Sequence, residues 1–308
     1  MPKVTRVGAR DRRADGGSPF DSIRPMNLDD EGIKICLYGL PGSGKTTTWA
    51  TFPDPILCLT CSGSKDDTRS GELRSIDTPG NRDRIDVVDI KKSEDILDIC
   101  GDSRVEKYET LVLDNVSGLQ ELILAEILGV DKVGEQRSWG EVTQQQYGSR
   151  TAKLKDTVNP LLNFTGNSVI VAHQKEFRRD GDSELLVPYI GPALSPSEVG
   201  WLCRKIDFII HLYTREEMTD TITKVGDKEI KTRAPTGGVE YCIRTGVDPT
   251  FMVKTRIPGG SDRSNVVVSR NADTYNIIKD LITGRGGIDR DTETTKTPKR
   301  KRRARPTN

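Results

Sequence analysis

The chain has 308 residues, of which 34% are hydrophobic, 5% aromatic and 30% charged, with a net charge of +1. That length holds one large or two small domains with an ample core, and the polar balance points to a compact core with polar ends. No apolar run approaches membrane-spanning length and the N-terminus lacks the apolar core of a signal peptide, so a cytoplasmic protein without membrane partners is expected.

Residues 1–30 mix Arg, Asp, Gly and Pro without periodicity and are expected to form a disordered arm. Ile33, Ile35, Leu37 and Tyr38 then read as a short buried strand, and Thr47 to Phe52 as the opening of a helix. Between them, Gly39-Leu40-Pro41-Gly42-Ser43-Gly44-Lys45-Thr46 satisfies G-x-x-x-x-G-K-[ST] at every fixed position. Glycines let successive N–H groups turn inward around an anion, backed by the positive end of a helix dipole. Lys45 is placed to neutralise the β- and γ-phosphates, and the Thr46 hydroxyl to ligate Mg²⁺. Gly39 to Thr47 are therefore the predicted contacts of a nucleoside triphosphate, with ATP and Mg²⁺ as the expected cofactors.

Pro53 and Pro55 bracket a turn into a second strand, Ile56 to Cys61, and 62–84 reads as a long loop. Ile85 to Ile90 reads as a strand and Ser93 to Ile99 as a short helix. Thr110-Leu111-Val112-Leu113-Asp114 is an apolar run ending in aspartate. Such a central parallel strand delivers a carboxylate to its C-terminal edge, so Asp114 is the predicted metal-side acid. Asn115 and Ser117 are candidate caps for a helix with Leu119, Leu122, Ile123 and Ile127 along one face.

After a connector at 129–138, a helix is expected from Glu141 to Leu162, disturbed at Asn159-Pro160. Ser168 to Gln174 reads as another buried strand and 175–200 as a long loop. Ile206 to Tyr213 reads as a strand, Val239–Arg244 and Phe251–Lys254 as a terminal hairpin, and Asp273–Ile282 as a last helix. The alternation of strands and helices predicts an α/β fold with a mostly parallel sheet and ligands at its carboxyl edge, over 31–283. Beyond Gly284 a disordered tail is expected, carrying Lys296, Lys299, Arg300, Lys301, Arg302, Arg303 and Arg305. It is either a solvated end or an arm that condenses on a phosphate backbone.

The six cysteines, at 36, 58, 61, 100, 203 and 242, lie mostly inside apolar runs. Cys58 and Cys61 form one C-x-x-C, but no second pair completes a zinc set, and buried reduced thiols are expected.

Several stretches standing in order resemble a known family: Thr110 to Asp114, Gln145-Gln146-Tyr147-Gly148, Val169 to Lys175, Tyr241 to Thr245 and Met252 to Arg256. With the glycine loop they resemble the phage-encoded RecA-like ATPases of the AAA_24 and Sak single-strand-annealing type, over about residues 31 to 283. The resemblance implies a RecA-like core that binds ATP and works on single-stranded DNA in recombination, annealing or repair. It also implies a homo-oligomeric ring or filament, with a single-strand-binding protein or exonuclease as further partner.

The glycine loop then matches Walker A and Asp114 matches Walker B. His173 and Gln174 match a polar sensor, although a strand-end residue satisfied by backbone is the alternative for His173. Lys254 and Arg256 match a segment offered to the neighbouring subunit's nucleotide, the alternative being an exposed strand end. The chain departs from the pattern after the second strand, where Thr60-Cys61-Ser62-Gly63 lacks the usual water-orienting glutamate. Asp66, Asp67 or Glu141 takes that role, or hydrolysis is slow.

Three other readings stand beside this one. Asp77-Thr78-Pro79-Gly80 spells the D-x-x-G element of GTPases, but the residues before it are too polar for the required strand and no N-K-x-D reads guanine. A nucleotide-gated DNA-binding protein with little hydrolysis fits the missing glutamate. A nucleotide or small-molecule kinase lacks a recognisable lid or acceptor motif.

Overall fold

A computed structural model describes residues 32–61, 71–130, 142–177, 189–225, 228–246, 248–256, 265–268 and 273–283. The expected arm at 1–30, the tail at 284–308, and Asp66, Asp67 and Glu141 lie outside the described residues.

One mixed sheet organises the fold. Its strands are β1 (Lys34–Gly39), β2 (Ile56–Thr60), β3 (Ile85–Asp89), β4 (Thr110–Asp114), β5 (Asn167–Glu176), β6 (Ile190–Pro192), β7 (Phe208–Val225), β8 (Lys228–Arg244) and β9 (Asn265–Val268). They lie in the order β3-β2-β4-β5-β1-β7-β8-β9, with β6 paired to β5. From β3 across to β7 every pairing is parallel, while β6, β8 and β9 join antiparallel. A parallel sheet must be covered on both faces, which is why Ile35–Tyr38 of β1, Ile56–Leu59 of β2, Leu111–Leu113 of β4 and Val169–Ala172 of β5 are unbroken apolar runs.

The helices are α1 (Lys45–Trp49), α2 (Pro79–Arg82), α3 (Ser93–Gly101), α4 (Val116–Leu128), α5 (Gln144–Leu162), α6 (Pro196–Lys205) and α7 (Thr274–Thr283). Ile96 of α3, Leu119 and Leu122 of α4, Leu154 of α5 and Leu202 of α6 pack with Cys36, Tyr38, Leu57 and Leu113 on one face. Trp49 of α1 and Ile278 of α7 pack with Ile35, Leu37, Val112 and Val171 on the other. Strand alternation divides even the C-x-x-C in this way, Cys58 falling in one core and Cys61 in the other.

Most expected elements are present, with four corrections. The loop expected over 175–200 contains β6 and the start of α6, because Pro196 occupies the first helical turn behind the Ser195 N-cap. The loop expected over 62–84 contains a 3₁₀ turn at Gly71–Ile76 and the one-turn α2. Pro160 does not disturb α5, which continues to Leu162 because Leu161 and Leu162 are buried in the core. The C-terminal hairpin exists with different strands: β8 pairs with β7 and then with β9. Phe251 and Lys254 instead make single bridges to Ile190 and Ile209.

Candidate functional site

The chain leaves β1 at Gly39 and must turn at once beneath β7. A side chain at Gly39 would stand 2.1 Å from the Leu212 carbonyl oxygen, so only glycine fits. The turn that follows requires positive φ at Gly42 (79°) and Gly44 (88°), a region costly for any residue with a Cβ. Gly44 caps α1, so that helix begins at Lys45, two residues earlier than expected.

Lys45 Nζ donates to the Gly39 and Leu40 carbonyls, at 3.0 Å each, and so lies back over the loop mouth. Ser43 Oγ is buried with no hydrogen-bond partner, a polar atom facing the loop interior that a bound group would satisfy.

The two strands flanking β5 bring the acid to the loop. Asp114 ends β4, and its register partner on β5 is Val171, itself opposite Leu37 of β1. Asp114 is buried, and Trp49 Nε1 donates to its Oδ2 at 2.9 Å. Asn115 caps α4 by accepting from Gly118 N–H at 2.7 Å, as expected, whereas Ser117 binds elsewhere. Its hydroxyl accepts from His173 N–H and donates to the Ala193 carbonyl, both at 3.3 Å.

His173 stands opposite Gly39. It and Asp114 line a cavity of about 380 Å³ that runs along the loop from Pro41 to Thr48. The far wall is formed by Ser75, Leu212, Tyr241, Cys242, Ile243, Val268 and Thr274.

Gln174 does not share this cavity. Alternation turns it to the opposite face, where its Oε1 lies 2.9 Å from His211 Nε2. His211 is buried in a stack with Tyr38, Tyr213 and Phe251, at ring distances of 4.9, 5.4 and 4.3 Å. Arg244 covers Phe251 at 3.9 Å and reaches Asp248 at 3.4 Å. Burial, and then the Arg244 charge, pushes His211 down to about 4.

Arg256 sits at the other end of the sheet. Its Nη1 lies 2.9 Å from Asp207 Oδ1, and Asp207 N–H donates to the Lys34 carbonyl where β1 begins. Lys254 Nζ donates to the Cys203 and Ile206 carbonyls, closing the C-terminus of α6. Burial, with the Arg256 charge behind it, holds that ammonium below its ordinary value. Neither residue lines the cavity at the glycine loop. The D-x-x-G stretch is used locally: Thr78 caps α2 and Asp77 pairs with Arg82 at 2.6 Å.

The structure therefore brings together the glycine loop, Asp114 and His173, and adds Trp49, Leu212 and Tyr241, which the sequence reading missed. Tyr241 opens one of the stretches that carry the resemblance, but no motif gave any of the three a place in the site, because each acts across the fold rather than along the chain. Among the described residues no group of His, Cys, Asp and Glu is arranged to hold a metal by itself, and no helix is long and apolar enough to cross a membrane.

A glycine loop behind a central parallel strand, with an acid two strands away, defines an α/β P-loop domain. The chain belongs to the AAA_24 family, an AAA domain, whose model matches residues 31–256. Among solved structures it is similar to the flagellar accessory protein FlaH from Methanocaldococcus jannaschii, at 10% identity and a TM-score of 0.38, covering 77% of this chain and 85% of that one. No curated protein matches the sequence.

Proposed function

We propose that this chain binds ATP with Mg²⁺, hydrolyses it, and couples that cycle to single-stranded DNA in recombination, annealing or repair. The observation that carries the nucleotide part is the loop itself: positive φ at Gly42 and Gly44, an unpartnered buried Ser43 Oγ, and Lys45 at the mouth, all beside Asp114. Inward N–H groups and Lys45 would hold the phosphates, while Thr46 and Asp114 would hold Mg²⁺. The cation would neutralise charge developing on the β- and γ-oxygens. His173, pinned through its backbone to Ser117 and Ala193, is placed to respond to the γ-phosphate end.

The DNA part is supported by the sequence resemblance and by the seven basic residues between Lys296 and Arg305. The same resemblance supports a homo-oligomer in which Arg256 serves a neighbour's nucleotide, with a single-strand-binding protein or exonuclease as companion.

One observation favours a second reading. Among the described residues lining the cavity Asp114 is the sole acid, and Trp49 already engages it. A protein that uses ATP to order its assembly, with slow turnover, fits that arrangement. ATPase measured with and without single-stranded DNA decides between them, with Lys45→Ala as the control. DNA-stimulated turnover lost in Lys45→Ala supports the first reading. ATP binding and DNA binding with negligible turnover support the second, and absence of ATP binding overturns both.

A further inference from the structure

The cavity is chemically lopsided about β1. On one side, across β5, lie His173 and Asp114; on the other, across β7, lie Leu212, Tyr241, Ile243 and Val268. Four strand spacings separate β4 from β8, roughly 19 Å at about 4.8 Å each. The loop sits between these two ends. On the nucleotide reading above, the polar side, with Asp114 and His173, is where a cation and the terminal phosphate would be held. Whatever extends from the phosphates away from that end meets the apolar wall.

Tyr241 dominates this wall. Its ring edge would lie 3.3 Å from a Cβ at Gly44, so it packs directly over the last glycine of the loop. The ring is only partly buried. On the same face of β8 Ile243 is fully buried, and Val268 of β9, the register partner of Tyr241, and Thr274 of α7 line the cavity beside it. The α7 side is held in place by the Tyr275 N–H bond to Thr51 Oγ1 at 2.9 Å and by the Phe52–Tyr275 ring contact at 4.9 Å. A half-open aromatic face beside buried Ile243 and Val268 is suited to a planar ring system, since aromatic stacking gains area at little conformational cost.

We propose that Tyr241 is the nucleobase shelf of this site: the triphosphate lies along the loop with its terminal phosphate toward Asp114 and His173, and the base stacks on the Tyr241 ring against Val268 and Thr274. This rests on the nucleotide reading above, and fixes the direction in which the ligand lies. It makes Tyr241 a positioning residue rather than a catalytic one. It also predicts that the phenol oxygen is dispensable while the ring is not.

The test compares two probes, ATP and inorganic tripolyphosphate, each with Mg²⁺, by calorimetric titration of the full chain. Tripolyphosphate occupies the loop but has no base. Tyr241→Ala is expected to weaken ATP roughly tenfold, the order found for loss of one base–aromatic stack, and to leave tripolyphosphate unchanged. Tyr241→Phe should keep ATP affinity within about twofold, as a stack without a hydrogen bond requires. Unchanged ATP affinity in Tyr241→Ala overturns the proposal, as does a parallel loss of both probes, which would mean the ring only supports the loop. If the parent protein binds tripolyphosphate and ATP with equal affinity, the base has no shelf and the proposal fails while the loop assignment stands. If the parent binds neither, the nucleotide reading itself fails.

Discussion

Trp49 Nε1 donates a 2.9 Å hydrogen bond to Asp114 Oδ2 inside the core. The bond joins the helix that follows the glycine loop to the strand that presents the acid, two elements that are 65 residues apart in sequence. The spacing between the helix that opens at the glycine loop and the buried Asp114 carboxylate is thereby tied by a single side chain.

Trp49→Phe retains most of the buried ring and deletes the donor. Leaving Asp114 short of a partner in a buried position is expected to cost about 1–3 kcal/mol of stability. Urea titration of the variant and the parent measures it, and identical midpoints would show that the bond contributes nothing.

Asp114→Asn preserves shape and can still accept from Trp49, but removes the charge. ATP affinity is expected to change little, while Mg²⁺-dependent turnover falls by roughly 100-fold, in line with the several kcal/mol a well-held cation supplies. Undiminished hydrolysis would transfer the metal-side role to Asp66 or Asp67.

Glu198 is fully buried in α6 and accepts from Ser195 N–H at 2.8 Å, Thr151 Oγ1 at 3.0 Å and Gln120 Nε2, with Arg150 at 3.4 Å. One carboxylate thus ties α4, α5 and α6 together. Glu198→Ala strands the Arg150 guanidinium in the interior and is expected to cost about 3–5 kcal/mol. Glu198→Gln, which keeps most of the hydrogen bonds, should cost less. Equal thermal stability of all three proteins would contradict this account.

His211 yields a pH dependence with a definite sign. Its folded value, about 4, lies below the ordinary 6.5. The unfolded chain therefore takes up the proton first as pH falls. The neutral ring contributes its full stability above about pH 6.5 and loses it progressively toward pH 4, by up to about 3 kcal/mol at 1.36 kcal/mol per unit. The charged and titratable groups facing it are Arg244, Asp248, Tyr38 and Tyr213. Denaturant titrations at pH 7.5 and 4.5 should show a smaller loss in His211→Gln than in the parent. The same loss in both would assign the acid sensitivity to other groups.

Arg256 is offered to solvent next to Asp207, at the sheet edge opposite its own loop. If it serves a neighbouring protomer, mixing Arg256→Ala with Lys45→Ala protein should restore part of the turnover that each lacks alone. No recovery at any ratio would leave Arg256 as the partner of Asp207 and nothing more.

The parts of the site legible in the sequence are those whose chemistry depends on the chain's own local geometry. Gly42 and Gly44 announce positive φ, and Asp114 closes an uninterrupted apolar run, so both can be placed before any tertiary contact is known. Tyr241 and His211 were not legible, because their roles arise from the strand order that sets β8 and β7 beside the loop, nor was Trp49, whose bond joins α1 to β4 across 65 residues. The helix α6 was hidden by Pro192 and Pro196, which read as loop residues until the second is seen to occupy the first helical turn. His173 and Gln174 looked like one unit; alternation sends one to the cavity and the other to the His211 stack.

The position of β1 also governs when the site comes into being. Its two neighbours are β5 and β7, so Lys34 awaits Ser168 and Ile35 awaits Phe208. At translation rates of about 5–20 residues per second, the loop leaves the ribosome on the order of ten seconds before the strands that shape it. Through that interval Ile35, Cys36, Leu37 and Tyr38, all buried in the finished fold, lack the strands that pair with them. Ligand cannot bind the nascent loop early, since β1 precedes in sequence both of the strands that complete its geometry.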